Sequence, residues 1–458
     1  MIFEDTSQNS FQDSHSEAEK IHFIGIGGIG MSAQAMYEHF HGKRVTGSDP
    51  YSSERAIYLE NIGIKVFRTH DESNVYSVDE VIITPAISKD NPEYVYAKNN
   101  NMRMTMRIEH FRSIVEKYKG LAVTGTDGKS TTTAMLANSL INLNQDPYVF
   151  LGALHTKLEY GNYRSGKDIV VYELDESQPG FELFKPECLI ITNVREDHLE
   201  NYNSLDHYYD SFITLMNNTS FVVTFEDEKK FKGDATFGVY SGNFRLVERK
   251  QEGFLQTVDI YTPWGEKKFI LPVPGYHNAL NALSVITLLS SIGYNIDDVL
   301  NSFYDFRLPG RRFNISYDDP ERKLTIIDDY AHTADELEVL LKTAKEVYSD
   351  RKVILIFQPH RYTRLKREEE KFKKVLQIAD EIYVTEVYGA FETKNGVSAK
   401  KIVEDIQGSI FVQDLNELKN IKYDDNCVYL FVGAGDIYNI SQSIVNEFKK
   451  VVSSVQSL

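Results

Sequence analysis

Leu121-Ala-Val-Thr-Gly-Thr-Asp-Gly-Lys-Ser-Thr-Thr-Thr133 is the stretch on which the reading of this 458-residue chain turns. An apolar, β-leaning segment, Leu121 to Val123, runs into a turn bracketed by Gly125 and Gly128. Lys129 and Ser130 then open a helix-compatible run to Leu143. Strand, tight loop and helix N-terminus in that order aim backbone N–H groups and a helix dipole at one point, which suits a phosphate chain. In such a loop the lysine reaches the terminal phosphate and the Ser130 hydroxyl sits on Mg²⁺. The loop is shorter than the full P-loop signature, which wants a glycine where Val123 stands.

Working outward, two apolar runs end in groups that bind cations: Ile169-Val-Val-Tyr-Glu-Leu-Asp-Glu-Ser177 and Cys188-Leu-Ile-Ile-Thr-Asn-Val-Arg-Glu-Asp-His-Leu199. Ligands of open α/β sheets collect at the carboxyl ends of strands, so both ends are expected beside the phosphate loop. Glu173 is a natural ligand for a hard cation and His198 a second candidate; Mg²⁺ needs few protein ligands when phosphate oxygens supply the rest. Of Asp175 and Glu176, one reads as a helix cap. Phe221 to Leu271 reads as short antiparallel additions, followed by a helix from Ala282 to Ile292. Asn278 and Asn281, three apart, share a helix face; they suit an adenine edge, while a helix start is the commoner reason for such a pair.

Before this segment, Ile21 to Ile26 reads as a strand, followed by Gly25-Ile-Gly-Gly-Ile-Gly-Met-Ser32 and a helix to His39. Strands at Arg44–Gly47, Lys65–Phe67 and Glu80–Thr84 continue a βαβ series, hence a parallel sheet. The glycines satisfy G-x-G-x-x-G, and Asp49 lies where a ribose-binding acid would sit. Taken alone, this pair also fits a nicotinamide dinucleotide, and Asp49 fits a turn residue before Pro50.

After a boundary near Phe306-Arg-Leu-Pro-Gly-Arg-Arg-Phe313 come five βα units, with strands at Leu324–Ile327, Val353–Phe357, Ile382–Thr385, Ile410–Val412 and Val428–Val432. Helices are expected over Ala334–Tyr348 and Arg367–Ala379. Strand ends again carry the polar groups, Asp328-Asp-Tyr-Ala-His332 and Gln358-Pro-His-Arg-Tyr-Thr-Arg364. Arg361 and Arg364 suit bidentate capture of a carboxylate or phosphate.

Composition sets the class. A net charge of −17 argues against a nucleic-acid or anionic-membrane partner and means anionic substrates must be met by local cations. No apolar run is long enough to insert in a membrane. The two cysteines, Cys188 and Cys427, stand beside apolar strands and read as buried free thiols, which fits a cytoplasmic protein. Residues 1–19, rich in Ser, Gln and acidic residues, read as a flexible leader. The expected divisions are 20–116, 117–307 and 308–458.

Three α/β modules in this order, carrying Gly-Ile-Gly-Gly-Ile-Gly-Met-Ser, Gly-Thr-Asp-Gly-Lys-Ser-Thr-Thr and Asp-Asp-Tyr-Ala-His, resemble the Mur ligase family. The resemblance runs from Ile21 to about Asp436. It implies an N-terminal Rossmann-like domain for a UDP-sugar, a central P-loop ATPase-type domain and a C-terminal Rossmann-like domain for an amino acid. The reaction it implies is ATP- and Mg²⁺-dependent joining of L-alanine to the lactyl carboxylate of UDP-N-acetylmuramate through an acyl phosphate; the alternative within the family is a recycling ligase that joins a murein tripeptide to the same sugar. By resemblance, Gly25, Gly27, Gly28, Gly30, Met31 and Ser32 hold the UDP portion, with Asp49, His70, Thr84, Ala86 and Arg107. Gly125, Thr126, Asp127, Gly128, Lys129, Ser130 and Thr131 hold the ATP phosphates, Asn278 and Asn281 the adenine, and Arg312 lies between domains. Ser130, Glu173 and His198 take Mg²⁺; Tyr330, His332, Arg361 and Arg364 form the amino-acid pocket. Lys129, Glu173, His198, His332 and Arg361 are the catalytic candidates. The family often has His where Asp127 stands, Thr for Ser130 and Ser-Ser for Thr84-Pro85. A carboxylate at 127 should repel a triphosphate unless it faces a cation.

Overall fold

The computed structural model describes residues 19–51, 53–196, 201–226, 230–390, 392–394 and 396–456. Residues 1–18 of the expected leader, and His198, lie outside the described residues. The chain forms two compact units, Met1–Ile114 and Val115–Leu458.

The first unit runs β1 (Lys20–Ile24), α1 (Ile29–Phe40), β2 (Arg44–Ser48), α2 (Glu54–Asn61), β3 (Lys65–Phe67), β4 (Glu80–Ile83), α3 (Pro92–Asn99), β5 (Arg103–Met106) and α4 (Arg107–Val115). Its sheet is wholly parallel, in the order β3-β2-β1-β4-β5. β1 lies in the middle and is covered on both faces, which is why Ile21, Phe23 and Ile24 form a near-continuous apolar run. The edge strand β5 was not anticipated: Arg-Met-Thr-Met offers neither β-branched residues in number nor a clean alternation.

The second unit carries two sheets. The first contains β6 (Lys119–Thr124), β7 (Tyr148–Phe150), β8 (Tyr163–Arg164), β9 (Ile169–Glu173), β10 (Cys188–Ile191), β11 (Phe221–Phe225), β12 (Ala235–Gly238), β13 (Phe244–Glu252), β14 (Leu255–Thr262) and β15 (Gly265–Leu271), with α5 (Lys129–Asn142), α6 (Leu205–Asn217), α7 (Tyr276–Ser291) and α8 (Ile296–Asn301). The order is β15-β14-β13-β12-β11-β10-β6-β9-β7-β8. The antiparallel reading of Phe221–Leu271 is corrected in part. β11, β12 and β13 continue the parallel sheet, and only β13-β14-β15 form an antiparallel meander. The physical reason is the crossover through α6, which returns the chain parallel to β10. α5 and α7 pack against one another over this sheet, their small residues Ala134, Ala137, Ala279 and Ala282 all buried. α7 starts six residues earlier than expected and takes in Asn278 and Asn281.

The second sheet holds β16 (Asn314–Asp319), β17 (Leu324–Asp329), β18 (Lys352–Phe357), β19 (Glu381–Thr385), β20 (Ile410–Val412) and β21 (Cys427–Val432), with α9 (Ala334–Val347), α10 (Tyr362–Leu376), α11 (Lys400–Glu404) and α12 (Ile437–Gln456). Its order is β16-β17-β21-β18-β19-β20, parallel except for β16. β16 was also not anticipated, because an edge strand of sequence Asn-Ile-Ser-Tyr-Asp-Asp is half-exposed and largely polar. α10 begins at Tyr362 rather than Arg367, which moves Arg364 into its first turn. Both cysteines are free and buried. No helix among the described residues is long and apolar enough to cross a membrane.

Candidate active site

β6 lies between β9 and β10, with Val123 in register with Glu173 and Thr124 with Ile191. The loop after β6 therefore leaves the sheet beside the two polar strand ends. Asn193 accepts the Asp127 N–H on its side-chain oxygen (3.1 Å) and donates its amide to the Asp127 carbonyl (3.0 Å); the Thr192 hydroxyl donates to the same carbonyl at 2.7 Å. Gly128 caps α5 at φ 79°, and a Cβ there would come within 2.8 Å of Asn281 Oδ1. Only glycine meets both conditions. Asn281 thus packs against the phosphate loop, while Asn278 donates to the Pro274 carbonyl at 2.7 Å.

Lys129 is turned onto its own loop. Its ammonium donates to the carbonyls of Gly125 (2.8 Å) and Thr126 (3.0 Å) and pairs with Glu176 at 2.7 Å. Glu176 is fully buried; burial pushes its carboxyl up to about 7 against the pull of Lys129. For Lys129, burial alone would lower the pKa, but Glu176, Asp175 and Glu173 outweigh it and keep the ammonium charged. Asp175 is the turn residue of the two acids, accepting the Ser177 N–H at 3.1 Å. Glu176 is the partner that the sequence left undecided.

The Ser130 hydroxyl donates to Glu173 Oε2 at 2.8 Å, and the Gly152 N–H reaches the same oxygen at 3.2 Å. Burial raises the Glu173 pKa and Lys129 opposes the rise. A hydroxyl and a carboxylate at a helix N-terminus are hard oxygen donors of the kind Mg²⁺ takes. Among the described residues no group of three or more His, Cys, Asp or Glu could hold a metal.

Asp127 faces a cation after all: Arg195, 3.2 Å away, which also approaches Asp335 of α9 at 3.5 Å. Burial and Glu336 push the Asp127 carboxyl up to about 6, with Arg195 countering. A cavity of about 290 Å³ opens between this loop and α9, lined by Asp127, Lys129, Asn281, Arg312, Asp335 and Glu336 among others.

Across the cavity, Asp329 at the end of β17 braces its loop, accepting the N–H groups of Phe313 (2.7 Å) and Ala331 (2.8 Å). Arg312 lies over the Tyr330 ring, 5.5 Å from its centre, and 3.7 Å from Glu336. Glu336 forms a capping box with Thr333 and accepts the His332 N–H at 2.9 Å. Burial would raise its pKa, yet His332 and Arg312 hold it at about 2. His332 Nδ1 lies 3.1 Å from the Tyr330 carbonyl and 3.2 Å from Glu336; burial lowers the His332 pKa and that carboxylate opposes the fall.

Arg364 is buried, 6 % exposed, with Nη1 3.2 Å from His360 Nδ1 and Nε without a hydrogen-bond partner. Arg361 sits at φ 69° and donates through Nε to Glu392 at 2.7 Å, which also accepts the Thr363 N–H at 3.0 Å. Tyr330, His332, Arg361 and Arg364 thus share one sheet edge, but Arg361 is already bound to a carboxylate of its own chain.

In the first unit, Asp49 spends both oxygens on backbone, accepting Gly27 N–H and Tyr51 N–H at 2.9 Å each. A Cβ at Gly27 would overlap that carboxylate, and one at Gly30 would overlap the Arg107 guanidinium, so the loop, Asp49 and Arg107 do come together. His70 joins Ser48 and Glu93 at the end of β2. Thr84 and Ala86 lie in the turn after β4, closed by Ile87 N–H donating to the Thr84 carbonyl at 3.1 Å. Met31 and Ser32 lie in the first turn of α1, both buried, with the Ser32 hydroxyl donating to the Ile29 carbonyl.

Three family models cover nearly the whole chain: "Mur ligase family, catalytic domain" at residues 20–134, "Mur ligase middle domain" at 123–289 and "Mur ligase, glutamate ligase domain" at 311–435. The UDP-N-acetylmuramate–L-alanine ligase of Thermotoga petrophila is 48% identical over 449 residues, covering 95% of this chain and 98% of that protein. The crystal structure of UDP-N-acetylmuramate-alanine ligase from Thermotoga maritima superposes with a TM-score of 0.87 at 44% identity, covering 94% of this chain and 99% of that one. A murein peptide ligase from Psychrobacter arcticus shares the fold, with a TM-score of 0.67 at 19% identity and coverage of 94% and 98%. With the phosphate loop, its carboxylates and the three modules in family order, the chain belongs to the Mur ligase family.

Proposed function

We propose that this chain joins L-alanine to the lactyl carboxylate of UDP-N-acetylmuramate at the expense of ATP, a step of peptidoglycan precursor synthesis in the cytoplasm. The observation that carries the site reading is the Ser130–Glu173 pair at the N-terminus of α5, on the same loop as a charged Lys129. The relatives at 44–48% identity over more than nine-tenths of the chain support the substrates.

The carboxylate of the sugar attacks the γ-phosphorus of ATP, ADP leaves, and an acyl phosphate forms. The neutral amine of alanine adds to the acyl carbon, and the tetrahedral intermediate expels inorganic phosphate to leave the amide. Lys129 exchanges its loop carbonyls and Glu176 for the γ-phosphate oxygens, where its charge offsets the charge that spreads over them in transfer. Ser130 and Glu173 would hold Mg²⁺, which neutralises phosphate charge when bound. Arg364, buried with an unsatisfied Nε, is the seat for the amino-acid carboxylate, and Arg361 flanks it on its Glu392 anchor. In its neutral form His332 keeps the Nδ1 proton toward the Tyr330 carbonyl and Glu336, which leaves Nε2 a lone pair able to take a proton from the alanine ammonium.

The test is ADP release on mixing UDP-N-acetylmuramate, L-alanine, ATP and Mg²⁺. Release that requires all four supports the reading; none would sink it. Faster turnover with a murein tripeptide in place of alanine would move the chain to the recycling class.

A further inference from the structure

Glu93 of α3 is fully buried in the first unit, and four polar groups from four segments converge on it. Its Oε2 accepts the Ser48 hydroxyl at 2.6 Å and lies 2.8 Å from His70 Nδ1; its Oε1 accepts the Asn74 amide at 2.7 Å and lies 3.3 Å from His22 Nε2. Ser48 Oγ is itself 3.0 Å from His70 Nδ1, and His22 Nδ1 is 2.9 Å from the Thr46 hydroxyl. Such a hub costs desolvation of a charge, and nothing in the fold of a parallel sheet requires it at this position. It sits where β2 and β3 end.

Burial works to raise the Glu93 pKa, but His22, Ser48 and Asn74 outweigh it and keep the carboxylate ionised. An ionised carboxylate only accepts, so the His70 nitrogen facing it must carry the proton. In the neutral ring, Nε2 then has a lone pair and no hydrogen. Of the two histidines on Glu93, His22 is fully buried and His70 keeps 24 % of its side chain exposed.

A diphosphate on the glycine loop after β1 would leave its nucleoside running outward over the ends of β2 and β3, and His70 follows β3 by three residues. Uracil offers an N3–H donor on the edge where cytosine offers a bare N3 acceptor. We propose that Glu93 is a positioning residue that fixes His70 as an Nε2 acceptor for the uracil N3–H, and so sets the base selectivity of the sugar-nucleotide site. The inference rests on the assignment of the UDP-sugar to this unit.

UDP and CDP binding to the full chain by calorimetry tests it. The wild-type protein binds UDP roughly 10–100-fold more tightly than CDP, the scale of leaving one hydrogen-bonding group unpaired. Glu93→Gln puts one oxygen where two served three donors, releases the ring to either tautomer, and brings the ratio to within about 3-fold. His70→Gln, at a part-exposed position, carries both a donor and an acceptor and gives the same collapse even if Glu93→Gln fails to fold. In both, KM for ATP and for L-alanine stays unchanged. A ratio that survives in His70→Gln, or a Glu93→Gln protein that loses UDP and CDP equally, overturns the proposal. Absence of UDP binding to the wild-type protein instead overturns the assignment of the sugar nucleotide.

Discussion

Two glycine loops in this chain open helices at the carboxyl ends of parallel strands, and their surroundings differ. Around Gly25–Gly30 the brace is an acid: Asp49 takes the Gly27 N–H, and the only cation shown against the loop, among the described residues, is Arg107. Around Gly125–Gly128 the brace is neutral, made by Asn193 and Thr192, while a lysine, a hydroxyl, the buried Glu176 and the half-buried Glu173 crowd the helix start. The backbone geometry is shared; the chemistry is not. A loop with its charges settled can only hold a diphosphate. A loop whose lysine is stored on carbonyls and a buried acid can release it to a phosphate that is changing charge.

Removing the stored cation gives the sharpest break. Lys129→Ala should lower kcat for ADP release by about 10³-fold or more, the scale of losing a charged stabiliser of phosphoryl transfer. KM for UDP-N-acetylmuramate should stay unchanged, measured by initial rates. An equal loss of sugar-nucleotide binding would mean that the two loops do not divide the work. Glu173→Gln should follow with a loss of about 10²-fold and a higher Mg²⁺ concentration at half-maximal rate, read from a metal titration of activity. If the Mg²⁺ midpoint does not move, Glu173 is a brace for Ser130 and nothing more.

Local sequence made the second loop legible and much of its support invisible. Lys129, Ser130 and Glu173 could be named because a motif and a strand end place them within a few residues of known backbone geometry. Thr192, Asn193, Arg195, Glu176 and Glu392 could not be assigned roles, since each acts on a residue 31 or more positions away and the pairing exists only once the strands are in register. Most strands were legible from their apolar runs, the edge strands β3 and β20 included; β5 and β16 were not, because Arg-Met-Thr-Met and Asn-Ile-Ser-Tyr-Asp-Asp carry no such run. Met31 and Ser32, named together with the glycine loop, lie in the first turn of α1, where the helix period turns their side chains inward.

The first loop can be broken at its brace. Gly27→Ala places a Cβ into the Asp49 carboxylate, and KM for UDP-N-acetylmuramate should rise by about 10-fold as the loop shifts, with kcat at saturation held. Asp49→Asn, which keeps the shape and one acceptor, should raise it only about 3-fold by initial-rate assay. If Asp49→Asn costs more than Gly27→Ala, the acid touches the ligand and is not only a brace.

The smallest effect expected is on acid stability. His277 sits beside the phosphate-loop cavity, and burial, with Arg312 and Arg249 adding to it, pushes its pKa down to about 4. The folded protein refuses a proton that the unfolded chain accepts near pH 6.5. Stability is therefore full above about pH 6.5, falls as pH drops toward 4, and levels below it. His360 is pushed down to about 4 by burial and by His332, Arg364 and Arg361, and adds a slope of the same sign. The loss is on the order of 1–2 kcal/mol per histidine once partial exposure is allowed for. Thermal melts between pH 7.5 and 5 should show His277→Asn losing less melting temperature than the wild-type protein does. The arginines that make the cavity attractive to phosphate are the same ones that keep this histidine neutral, so bound ATP should relax its pKa upward and flatten the slope in the wild-type protein. A slope that ATP leaves untouched would place the triphosphate away from Arg312, and would weaken the division of labour between the two loops from the other side.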